Sequence, residues 1–92
     1  MIRSFADENT EQVFHHRHNR RYSAIERAAF RKLRQIHSVS TAEELYAPPA
    51  NRLERLKGDR KGTWSLRIDG QYRICFEWRD GDAYEVEIVD YH

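Results

Sequence analysis

At 92 residues the chain can build one hydrophobic core but not two, so residues 1–92 are expected to form a single domain. Hydrophobic residues make up 39% of it, charged residues 34%, and Cys75 stands alone; a disulfide scaffold is excluded, and no run approaches the about 20 apolar residues of a membrane span. The net charge of +1 conceals two basic tracts and an acidic final stretch, which suit either a polyanion-binding surface beside a carboxylate-rich one or charged faces that simply keep a small protein soluble.

Met1-Ile2-Arg3-Ser4-Phe5 alternates apolar with polar residues and reads as an edge strand. It lacks the apolar run of a signal peptide, so a cytoplasmic location is expected. Asp7 is a helix cap for a short helix to about His15, and residues 16–21 carry no period and read as an exposed loop. From Ser23 a stronger helix is predicted, because Tyr22, Ile25, Ala29, Leu33 and Ile36 recur every three or four residues and make one apolar stripe. Arg27, Arg31, Lys32 and Arg34 lie largely off that stripe. Ser40-Thr41-Ala42-Glu43 has the look of a capping box opening a short helix to Tyr46, which Pro48 and Pro49 then stop.

Beyond the prolines the period drops to two. Trp64, Leu66 and Ile68, then Tyr72, Ile74, Phe76 and Trp78, then Tyr84, Val86 and Ile88 alternate with polar residues, and Asp69-Gly70 and Asp80-Gly81 sit between the runs as turns. The expected fold class is therefore α+β: an antiparallel meander with one face buried under the N-terminal helices.

Several groups could carry chemistry. Lys57, Arg60 and Lys61 lie in a loop bracketed by Gly58 and Gly62, which is either a phosphate-holding loop or an ordinary charged turn. Arg67 and Arg73 fall on the polar side of the strands, where they either bind phosphate with their planar forks or pair with Glu77, Glu85 or Glu87. Asp90-Tyr91-His92 ends the sequence with a carboxylate, a ring able to stack on a base, and an imidazole beside a free α-carboxylate that favours its protonated form. His15, His16 and His18 lack cysteine or carboxylate at ligand spacing, so no metal site is assigned.

Residues 51–62, Trp64-Ser65-Leu66-Arg67-Ile68, Tyr72-Arg73-Ile74-Cys75-Phe76, Asp80-Gly81-Asp82-Ala83-Tyr84 and the terminal Val89-Asp90-Tyr91-His92 resemble the HigB (host inhibition of growth) toxins of the RelE superfamily. The length and the opening five residues match as well, so the resemblance spans essentially the whole chain. It implies a small antiparallel sheet packed against N-terminal helices, and a toxin of a type II toxin–antitoxin system that enters the ribosomal A site and cuts mRNA there. It also implies a helix-turn-helix antitoxin partner, and operator DNA met only through the complex with that partner. On the family's pattern Lys57, Asp90, Tyr91 and His92 fall on active-site positions and Arg73 on a supporting one.

No cofactor is required, because RNA supplies its own nucleophile in the 2′-hydroxyl. Asp90 or His92 can accept its proton, Lys57 and Arg73 can stabilise the phosphorane, and His92 or Lys57 can protonate the leaving oxygen. The pattern departs at Glu54, where some relatives carry histidine and others glutamate; Glu54 is a replacement base, a positioner of Lys57, or neither. Arg27, Arg31, Lys32, Arg34, Arg60, Lys61 and Arg67 are the expected contacts to mRNA and ribosomal RNA. Two other readings stand beside this one: a non-catalytic ribosome- or RNA-binding factor, and an inactive relative that acts only with its antitoxin.

Overall fold

The two-residue period after Pro49 becomes a four-stranded antiparallel sheet in the order β1-β2-β3-β4. In this computed structural model, which describes residues 1–58 and 62–91, the strands are β1 (Glu54–Arg55), β2 (Thr63–Arg67), β3 (Tyr72–Arg79) and β4 (Asp82–Asp90). Two helices precede them, α1 (Glu8–Phe14) and α2 (Glu26–Ser38), followed by two 3-10 turns, Ala42–Tyr46 and Pro49–Asn51. The short strand β1 was not among the predicted elements, and it sets Glu54 opposite Ser65.

Local chemistry accounts for the helix boundaries. Asp7 caps α1, its carboxylate accepting from the Thr10 amide at 2.7 Å. The apolar stripe of α2 is fully inside, with Tyr22, Ile25, Ala29, Leu33 and Ile36 all buried. The helix starts at Glu26, later than the predicted Ser23. Residues 22–25 form a tight turn instead, closed by Ile25 N–H to the Tyr22 carbonyl (3.0 Å) and held by the Asn19 side chain accepting from the Tyr22 amide (3.2 Å). The capping box is real but one residue later than read: Thr41 is the cap, and the Glu44 carboxylate accepts from the Thr41 amide at 2.8 Å.

The opening segment, predicted to be an edge strand, makes only two isolated parallel bridges, Ile2 to Ala83 and Phe5 to Val86, which lay it along the outer edge of β4. Farther along that edge the Thr10 hydroxyl accepts from the Ile88 amide at 3.0 Å, so side chain and backbone together occupy donors that an open edge would leave for another chain.

Two sheet predictions need correction. Cys75 pairs with Glu87 and Glu77 with Tyr84, so β4 has one extra residue between those pairs, and Glu85 takes it up at φ 52°. This bulge reverses the alternation. Val86 and Ile88 face the core as expected, Ala83 takes the inward place, and Tyr84 turns to the other side, where the Arg79 guanidinium lies 4.1 Å from its ring centroid. Nor is the second side of the sheet simply solvent-facing, since Ser65, Arg73 and Cys75 upon it are 0%, 8% and 2% exposed. α1, α2 and the 3-10 turns cover the side lined by Trp64, Leu66, Ile74, Phe76, Ala83, Val86 and Ile88.

Candidate functional site

The β2–β3 hairpin sets Arg67 directly across from Arg73, on the side of the sheet away from the helices. Between them opens a cleft of about 190 Å³ lined by Arg52, Arg67, Asp69, Gly70, Gln71, Arg73 and Tyr91. Its electrostatic centre is Arg73. The Nε of Arg73 donates to the Ser65 hydroxyl, and Nη2 donates to the carbonyls of Arg52 (2.7 Å) and Ser65 (3.1 Å). All three acceptors are neutral, so the buried positive charge is hydrogen-bonded but not neutralised by any carboxylate among the described residues. None of Glu77, Glu85 and Glu87 pairs with Arg67 or Arg73 among the described residues; Glu77 pairs instead with Arg79 at 3.7 Å. A cation taken out of water without a carboxylate partner is costly, and an anion entering the cleft would relieve that cost.

Nη1 of Arg73 has no acceptor among the described residues. Arg73 lines the cleft, so its guanidinium is within reach of a ligand oxygen there. The guanidinium carbon also lies 5.6 Å from the centroid of the Tyr91 ring, which is half exposed. One part of that ring is thus held by the cation, and the rest is open for stacking.

The end of β4 is tied to the same hairpin. The Tyr91 amide donates to the Gln71 carbonyl at 2.6 Å, and the Gln71 side-chain amide donates to the Asp90 carboxylate at 3.2 Å. Asp69 in turn accepts from the amides of Gln71 and Tyr72, both at 2.8 Å, and its carbonyl accepts from Arg67 Nε at 3.0 Å. A hydrogen-bonded run therefore joins Arg67, Asp69, Gln71, Asp90 and Tyr91.

Glu54 shares this side of the sheet, next to Ser65, and is exposed. Lys57 does not line the cleft. The Leu56 amide donates to the Thr63 carbonyl, so the chain at Lys57 runs toward the Thr63 end of β2, whereas Arg67 stands at the other end. Lys57 is exposed, with no partner among the described residues. Arg60, Lys61 and His92 lie outside the described residues.

The basic residues of α2 are on the opposite side of the sheet from the cleft, because α2 packs on the core side. Arg27 and Arg31 are exposed, while Arg34 lies over the Phe14 ring at 5.1 Å. Lys32 is engaged structurally: its ammonium donates to the carboxamide oxygen of the fully buried Asn51. Burial, and then Arg31 nearby, lower its pKa from the ordinary lysine value. The histidines are likewise dispersed, with His15 near Glu11, His16 stacked on Phe30 and His18 beside Glu26.

Sequence reasoning missed Arg52 and Ser65. Ser65 was within reach, since the two-residue period puts it on the same side as Arg67 and Arg73. Arg52 was not, because its carbonyl reaches Arg73 only through the left-handed turn at Arg52 (φ 43°).

The family model for RelE-like HigB toxins of type II toxin–antitoxin systems matches residues 3–92. The chain belongs to that family. It is 41% identical over 85 residues to Toxin HigB-1 of Vibrio cholerae, covering 90% of each chain. It is 46% identical over 60 residues to Endoribonuclease HigB of Proteus vulgaris, covering 63% of this chain and 65% of that one. The fold is shared more widely. A crystal structure of a YafQ mutant from E. coli superposes with a TM-score of 0.54 at 12% identity, covering 98% of this chain and 93% of that one. A YoeB/ParE toxin from Agrobacterium tumefaciens superposes with a TM-score of 0.51 at 15% identity, covering 99% of both. As a toxin of a type II system this HigB-family chain has an antitoxin partner. Among the described residues no helix is long and apolar enough to cross a membrane.

Proposed function

We propose that this HigB-family toxin is a cytoplasmic, ribosome-dependent endoribonuclease whose one domain, residues 1–92, cuts mRNA in the A site at the cleft lined by Arg73 and Tyr91, with Asp90 tied to it through Gln71. The observation that carries this reading is the buried Arg73 guanidinium, held by neutral oxygens and open to an arginine-lined cleft. The 2′-oxygen attacks the adjacent phosphorus, a P–O bond forms, and the bond to the 5′-oxygen breaks. The 2′-proton passes to Asp90 or His92, and the leaving oxygen takes a proton from His92 or Lys57. Arg73 stabilises the charge that grows on the phosphorane oxygens, while Tyr91 stacks on an unstacked base. Lys57, exposed and unpartnered among the described residues, is available to the RNA from its own loop. Glu54 flanks the site from β1. Arg27 and Arg31, on the far side, contact ribosomal RNA rather than the strand being cut. The antitoxin is a helix-turn-helix protein, and operator DNA is bound only through the complex with it.

The deciving experiment maps mRNA 5′ ends in a purified translation system with wild-type protein, Asp90→Asn and Arg73→Ala, with and without ribosomes. New ends within codons that require ribosomes, Asp90 and Arg73 are expected. Inhibited translation without new ends would replace this reading with a non-catalytic ribosome-binding one.

A further inference from the structure

The interactions of Arg73 point beyond Arg73 itself. Its fork has three nitrogens, and two of them are committed inside the protein. Ser65 supplies two of the three acceptors: the hydroxyl to Nε and the carbonyl to Nη2. Ser65 is fully buried and sits in the middle of the sheet, paired with Glu54 on one side and Cys75 on the other. A side chain in a central strand is held more rigidly than one on a loop, so its oxygen is a fixed reference point for the guanidinium plane. The third acceptor, the Arg52 carbonyl, completes the clamp from the left-handed turn before β1.

We infer that Ser65 is the positioning residue for Arg73: it fixes the plane of the guanidinium so that Nη1 points into the cleft toward a phosphate oxygen of the RNA. This inference rests on the functional reading above. Neutrality matters as much as geometry. A carboxylate at position 65 would hold the fork equally well but cancel the charge the substrate phosphate needs, whereas a hydroxyl orients without neutralising. Without the hydroxyl, Nε loses its acceptor, and the fork is free to rotate away from the position in which the charge develops. A misplacement of about 1 Å in a charge-stabilising group costs on the order of 100-fold in rate.

The test is a double-mutant cycle on single-turnover mRNA cleavage by the full chain on programmed ribosomes, using Ser65→Ala, Arg73→Ala and the pair. Ser65→Ala is expected to lower the cleavage rate constant roughly 10- to 100-fold while the half-saturating ribosome concentration stays within about two-fold. In the Arg73→Ala background the same change should cost less than about two-fold, because its effect runs through Arg73. Ser65→Thr keeps the hydroxyl and should restore the rate to within about five-fold of wild type. Equal factors in both backgrounds would overturn the inference, as would a wild-type rate in Ser65→Ala or a loss in Ser65→Thr as large as in Ser65→Ala. An Arg73→Ala protein that cleaves like wild type would overturn the functional reading itself, and the role of Ser65 with it.

Discussion

Arg73 is a cation that folding has buried with hydrogen bonds but with no counter-charge among the described residues, an arrangement suited to an anionic ligand. The same reasoning gives Asp90 its weight: it is exposed at the end of β4, yet the Gln71 amide orients its carboxylate. Asp90→Asn keeps the shape and removes a carboxylate proposed to accept the 2′-proton. It should lower cleavage by about 100- to 10,000-fold in a single-turnover assay, and a loss smaller than ten-fold would assign the proton transfer elsewhere. His37 makes a different prediction, about stability. Its Nδ1 accepts from the Ile2 amide at 3.0 Å, which only the unprotonated ring nitrogen can do. Burial, then Arg34, the N-terminal ammonium and Arg3, lower its pKa below the ordinary 6.5. The unfolded chain therefore binds the proton more readily, so this contribution to stability is complete above pH 6.5 and is lost as pH falls through the lowered folded-state value. The urea midpoint should drop between about pH 7.5 and about pH 5.5, and His37→Gln should flatten that drop.

Among the elements, caps and turns hold the boundaries. Asp7→Ala removes the α1 cap and should cost about 1 kcal/mol in urea unfolding, with cleavage unchanged per folded molecule. The β3–β4 turn has Asp80 and Gly81 both at positive φ, 50° and 82°, the geometry whose twist matches the flanking strands. Gly81→Val puts a branched side chain into that conformation and should cost at least about 1–2 kcal/mol, measured by the same unfolding assay. The bulge at Glu85 shows how one residue reassigns a whole strand, since without it Tyr84 would face the core and Ala83 would not.

For the molecule as a whole, the sheet separates two jobs. One side is the core against α1 and α2; Leu33→Ala there should cost about 2–5 kcal/mol, a large share of the stability of so small a protein. The other side carries charge of both signs. Arg52, Arg67 and Arg73 gather at one end, while Glu77, Glu85 and Glu87 line a second cleft of about 300 Å³. An anionic ligand would be drawn to the arginine end and repelled from the other. Ribosome association should weaken steeply with added salt, and replacing Arg27 and Arg31 with alanine should reduce that salt slope without altering where mRNA is cut.

Local pattern alone was enough to establish the apolar stripe of α2, the strand cores around Leu66, Ile74, Phe76 and Val86, and both hairpin turns, because each depends on residues only a few positions apart. That Arg67 and Arg73 lie on the polar side of their strands was legible for the same reason, whereas their pairing across β2 and β3 was not. Folding had to bring distant segments together before the rest had any meaning. The clamp on Arg73 joins Arg52, Ser65 and Arg73, and the tether on Asp90 joins residues 19 positions apart. The separation of the α2 arginines from the cleft likewise follows from which side of the sheet the helix covers. Periodicity reports which way a side chain points within its own element, whereas a binding site is defined by what other elements place in front of it.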